Sequence, residues 1–129
     1  LYNNLRELLT VIISVTANLP KSHRYVIGAR MQELAIDLGR LFAEAYTANS
    51  VRSVELMNTF MADFHTLGVL VTLSIDNKWI YGRNKAAHLI KLMAQVEKQA
   101  SALRNSYERR SSCEKRSQDG HGSPEHASS

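Results

Sequence analysis

Apolar side chains recur along this chain with the period of an α-helix, in four separate runs. Leu1, Leu5, Leu8, Ile12 and Val15 follow one another at spacings of 4, 3, 4 and 3, which places them on one helical face. Pro20 ends that run, because it has no N–H to donate and disfavours helix at Leu19. A second run, Ile27, Met31, Leu34, Leu38, Leu41 and Ala45, opens near Ser22, a suitable N-cap. Its opposite face carries Glu33, Asp37, Arg40 and Glu44. There Arg40 stands three residues after Asp37 and four before Glu44, as on a solvated, ion-paired surface. "TANS" breaks the pattern and offers Asn49 or Ser50 as the next cap. Val54, Met57, Met61, Phe64, Gly68, Val71 and Ile75 then predict a third helix. Within it "LGVLVTLSI" leaves little polar face and would pass alone for a strand, but its helical phase continues from Val54. After "DNKWIYGRN" comes a fourth run, Leu89, Met93, Val96, Ala100, Leu103 and Tyr107.

Four amphipathic segments with short connections predict an all-α chain, an antiparallel four-helix bundle over residues 1–106. Beyond it, "SYERRSSCEKRSQDGHGSPEHASS" is rich in Ser and charge and nearly free of aliphatic side chains, which predicts a disordered polar tail over 107–129. The first and third helices hold more apolar residues than one bundle core uses. A homo-oligomer would bury the surplus, with Ile13, Leu67, Val69, Leu70 and Leu73 at the interface; a roomy core within one chain is the other solution. Neither "LLTVIISV" nor "LGVLVTLSI" reaches the ~20 apolar residues that span a bilayer. No signal-peptide pattern opens the chain. The expectation is a cytoplasmic protein without a membrane partner.

The residue types that carry catalysis are poorly placed. Cys113 is the single cysteine, which excludes an internal disulfide and a four-cysteine zinc site. A di-iron bundle needs Glu-x-x-His motifs, and neither His65 nor His88 has a Glu three residues before it. Cys113, His121 and His126 all fall in the expected tail, where nothing holds a base or a ligand at fixed distance. There is no Gly-rich phosphate loop and no H-E-x-x-H. The sequence predicts a protein that is not an enzyme and uses no cofactor or metal.

Charge changes the picture. The net charge is +4, but residues 1–64 balance six Lys/Arg against six Asp/Glu, whereas residues 78–116 hold ten against three. Such asymmetry points to an anionic partner. On the fourth helix Lys91, Lys98, Asn105 and Arg109 fall within a ~40° arc opposite the apolar stripe, with no acid among them. The line is either a polyanion contact or solvated surface. Lys21, His23 and Arg24 head the second helix, where cations oppose the helix dipole unless an anion docks on them. Lys78, Arg83 and Lys85 surround Trp79 and Tyr81. Interleaved bases and aromatics clamp nucleic-acid strands in some proteins and close the end of a core in others.

The stretch "NLPKSHRYVIGARMQELAIDLGRLFAEAY" resembles the second-helix signature of the accessory variability determinant proteins of diversity-generating retroelements. Pro20-Lys21, His23-Arg24, Ile27-Gly28 and Arg30 carry the likeness, which extends from about Leu1 to Ser106. A more distant similarity is to four-helix bundles encoded in ribosomal RNA intervening sequences. The first resemblance implies a non-enzymatic bundle that assembles as a homopentameric barrel. It also implies binding to the retroelement's reverse transcriptase and template RNA, and to cDNA, in mutagenic retrohoming. Together with the charge pattern it makes Lys21, His23, Arg24, Arg30, Lys78, Arg83, Lys85, Lys91, Lys98 and Arg109 the candidate nucleic-acid contacts. The chain departs from the family where arginines are common in the third helix; Gly68 and Thr72 stand there instead. Two other functions fit the same residues: an oligomeric protein-binding scaffold, and an intervening-sequence type bundle.

Overall fold

Each apolar run becomes a helix. The computed structural model describes residues 2–80 and 82–122, with side chains as far as Cys113. Among these residues all regular structure is helical: α1 (Tyr2–Ala17), α2 (Lys21–His23), a π-turn (Arg24–Gly28), α3 (Ala29–Thr47), α4 (Ser50–Asp76) and α5 (Arg83–Gly122). α2 and the π-turn run directly into α3, so four long rods form the bundle. α3 packs on α1 and α4, and α5 packs on α4 and α1, closing the ring of four.

Side-chain contacts fix the antiparallel sense of each neighbouring pair. Thr16 meets Gln32 and Tyr2 meets Phe42 across α1 and α3. Ser53 reaches Ala45 and Ser74 reaches Met31 across α3 and α4. His65 approaches Glu97 and Asn58 accepts from Arg104 across α4 and α5. Asn4 donates to Gln99 and Glu7 faces His88 across α1 and α5. The core between them is continuous. It includes Leu5, Leu8, Ile12 and Val15 of α1, then Met31, Leu34, Leu38, Leu41 and Ala45 of α3, then Leu89, Val96 and Ala100 of α5. These are the expected stripes.

α4 differs in phase. Its buried positions are Ser53, Leu56, Met57, Phe60, Phe64, Leu67, Val71 and Ser74, so the core face lies about one residue N-terminal to the expected Val54–Met61–Ile75 line. Two serines make this possible. Ser53 Oγ donates to the Ala45 carbonyl at 2.6 Å, and Ser74 Oγ to the Leu70 carbonyl at 2.8 Å, so neither hydroxyl is buried without a partner. The shift corrects one interface residue: Leu67 is fully buried inside its own chain and cannot face a neighbour. Ile13, Val69 and Leu73 are exposed, and Leu70 is half-buried against the core. By length and composition α4 is also the one described helix long and apolar enough to cross a membrane. Packing on α3 and α5 buries only 33% of that apolar window.

α5 continues through Gly122. Tyr107, the last position of the expected stripe, is buried. Arg110 lies over its ring at 5.7 Å, and Arg104 pairs with Glu108 at 3.0 Å. Residues 123–129 of the expected tail, including His126, lie outside the described residues.

Candidate nucleic-acid interface

The end of the bundle where α1 stops and α2 begins is shaped by two close approaches. α1 closes with Asn18 N–H donating to the Val15 carbonyl and Leu19 N–H to that of Thr16. Leu19 then turns into the core, almost fully buried. Gly28 sits against this corner: a Cβ there would lie 3.3 Å from Leu19 Cδ1 and 3.6 Å from the Thr16 carbonyl. Gln32 Nε2 donates to Thr16 Oγ1 at 2.8 Å and ties α3 to the same place.

The π-turn decides which side chain points where. Counting back from Met31 in helical steps, an unbroken α-helix would turn Ile27 and then Arg24 toward the core. A π-turn absorbs one extra residue. Arg24 is therefore exposed, with its guanidinium donating to the Leu19 carbonyl at 3.3 Å, and His23 takes the half-buried position. His23 stacks there on Trp79, with ring centroids 4.0 Å apart and planes at 25°. Trp79 is thereby half-buried and partnered, and it belongs to the group packed on the core. Tyr81, its expected companion, lies outside the described residues.

The α4–α5 connection brings its own anomaly. Lys78 N–H donates to the Ile75 carbonyl and Trp79 N–H to that of Ser74, a Schellman closure of α4. The residue at its left-handed position is Lys78, with φ of 61°, the one described residue other than glycine with positive φ. Glycine is the usual occupant, because a Cβ in that conformation costs ~1–2 kcal/mol. The position does favour a cation, since it lies at the negative end of the α4 dipole.

These two corners share one end of the bundle, and their charges add. Residues 15–32 contribute Lys21, Arg24 and Arg30; residues 77–96 contribute Lys78, Arg83, Lys85 and Lys91; neither segment contains an Asp or Glu. Of these cations Arg30 alone is ion-paired among the described residues, to Glu33 at 3.4 Å. Lys91, Lys98 and Arg109 are exposed along α5 and form no ion pair among the described residues. The fold thus gathers Lys21, His23, Arg24, Lys78, Arg83 and Lys85 at one end and continues the charge down α5. Arg30 has its charge partly answered.

One contributor escaped the sequence reading. Asn18, with Val15, Trp79, Ile80 and Lys85, lines a cleft of about 340 Å³ at this end. The signal was present in the acid-free runs 15–32 and 77–96, but their adjacency emerges only once both helix ends are placed together. Two other grooves are apolar. One, of about 680 Å³, lies between α1 and α3 along Tyr2, Leu9 and Phe42. The second, of about 650 Å³, lies between α4 and α5 along Val69, Leu73 and Ile90. No group of three or more His, Cys, Asp or Glu side chains converges to hold a metal among the described residues.

No curated protein matches the chain. A family model described as bAvd-like matches residues 1–107. That span takes in all of α1 to α4, both basic corners and α5 as far as the buried Tyr107, and the chain belongs to the bAvd-like family.

Proposed function

We propose that this protein is a non-catalytic accessory subunit of a diversity-generating retroelement. It binds the element's reverse transcriptase and nucleic acid, template RNA or cDNA, in support of mutagenic retrohoming. Family membership supports the setting. One observation carries the nucleic-acid part: two acid-free segments with seven Lys/Arg between them meet at one end of the bundle. Unpaired cations held together repel one another and gain most when a polyanion neutralises them. No base-reading element is present among the described residues, so phosphate contacts supply most of the affinity and little sequence preference.

The working form is a homo-oligomer, a pentameric barrel by resemblance. Val69 is 67% exposed and Leu73 40%, both on the α4–α5 groove, while Ile13 is 50% exposed on α1. A ring of subunits multiplies the few phosphate contacts of each one.

Binding of the full chain to a single-stranded RNA is measured against salt, together with light scattering and co-purification with the reverse transcriptase. Each neutralised phosphate adds roughly 0.7 to the slope of log affinity against log salt. A steep slope, retention of the transcriptase and a mass several times 14.5 kDa are expected. Val69→Asp splits the assembly into folded monomers, whereas Leu67→Asp unfolds the chain. An oligomer that binds no strand at low salt would leave the protein-scaffold function in its place.

A further inference from the structure

The cleft between Val15, Asn18, Trp79, Ile80 and Lys85 combines features that phosphate attraction alone does not require. Its wall is the single tryptophan of the chain. His23, stacked on that indole, fixes it in place. At about 340 Å³ the cleft sits at the small end of the ~300–1,000 Å³ typical of small-molecule sites. That is room for a flat ring system. Val15 and Ile80 supply apolar walls. Asn18 Nδ2 donates to the Ser14 carbonyl at 3.0 Å, and its side-chain oxygen has no protein partner among the described residues. Lys85 in the lining and Lys78, which precedes Trp79 in sequence, form no ion pair among the described residues. An occupant that satisfies all of these is flat, aromatic, polar at its edge and attached to anions.

We propose that the cleft seats one nucleobase of a single strand. The base lies against Trp79, its polar edge meets Asn18, and Lys78 and Lys85 hold the phosphates on either side. The proposal rests on the nucleic-acid function above and adds a stated preference for unpaired strands. A base in a duplex is stacked and paired, and it cannot enter without being extruded. Stacking is indifferent to base identity, since every base presents a π-face. The seat therefore selects strand state and not sequence.

Because the chain has one tryptophan, its fluorescence reports on this cleft directly. The full-length protein is titrated with a ten-nucleotide single-stranded RNA, with an abasic phosphodiester strand of equal length and with a blunt duplex. Each is labelled at one end, so that anisotropy records binding separately. The single strand is expected to quench the tryptophan and shield it from acrylamide, while the abasic strand and the duplex bind without either effect. Trp79→Leu should weaken single-strand binding roughly tenfold, to the level of the abasic strand, and Trp79→Phe should restore most of it. The unaltered protein's quenching stands as evidence even if a variant fails to fold. Salt-dependent binding of the single strand with unchanged fluorescence and shielding, and affinity equal to that of the abasic strand, would overturn the base seat alone. Failure of every strand to bind would overturn both the seat and the function beneath it.

Discussion

At its N-terminus α4 is closed by Asn49, whose side chain accepts from the Arg52 N–H at 2.9 Å. Arg52 in turn pairs with Glu55 at 3.0 Å, and Arg40 on the neighbouring helix contacts both Asp37 and Glu44. At the C-terminus of the same helix a lysine occupies a glycine position, and the cations around it have almost no acidic neighbours. Residues 33–76 hold six acids and two bases; residues 77–96 hold four bases and no acid. The first end follows the local preferences for caps and i,i+3 or i,i+4 pairs, each adding a little stability. The second departs from them in the left-handed backbone of Lys78 and in its excess of cations, and the α4 dipole answers only part of that charge. Proteins break local rules of this kind mainly where a site requires it. One helix thus separates an end that follows the local rules from one that departs from them.

The sharpest test reverses charge at both ends. Lys21, Arg24, Lys78 and Lys85 changed together to Glu should lower RNA affinity roughly 100-fold near 0.1 M salt and flatten the salt slope by about 3. Arg40→Glu with Arg52→Glu should leave the binding curve in place. Equal losses from the two sets would erase the distinction. Asn49→Ala isolates the folding side: it should cost about 1 kcal/mol in denaturant unfolding with unaltered affinity for RNA. Lys78→Gly should move the two properties in opposite directions. Relief of the left-handed Cβ should raise stability by about 1 kcal/mol, while the salt slope falls by about 0.7. A loss of stability would show that Lys78 is held there by folding and not by contact. The smallest effect belongs to Arg40→Ala, which should cost ~0.3–0.5 kcal/mol for each exposed pair it breaks.

Helix number, order and the α1 and α3 core faces were legible because Leu, Ile and Met alternate there with a clearly polar side. α4 was harder. Val69 and Leu73 are apolar yet exposed, while Ser53 and Ser74 are polar yet buried, so hydrophobicity alone selects the wrong side by one residue. The serines' hydroxyls are satisfied by backbone carbonyls, which residue type does not reveal. On α5 the spacing reached as far as Tyr107, which is buried. The basic residues themselves were readable one by one. What joins His23 to Trp79 was not, since the two lie far apart in sequence and meet through a π-turn with no residue signature and a left-handed turn with no glycine.

The π-turn makes chain length itself a determinant of direction. Between Arg24 and Gly28 the backbone carries one residue more than an α-helix of the same rise needs. Removing Val26, an exposed side chain with little to lose, would let α3 run on regularly toward Pro20. Counted back along a regular helix, the seventh residue before Met31 would then be His23, so His23 would stay on the indole and Arg24 would keep its outward aim. Regularising the turn with Val26 retained would instead put Arg24 at that position and swing everything before it by about 100°. One surplus residue is what lets His23, and not Arg24, meet Trp79.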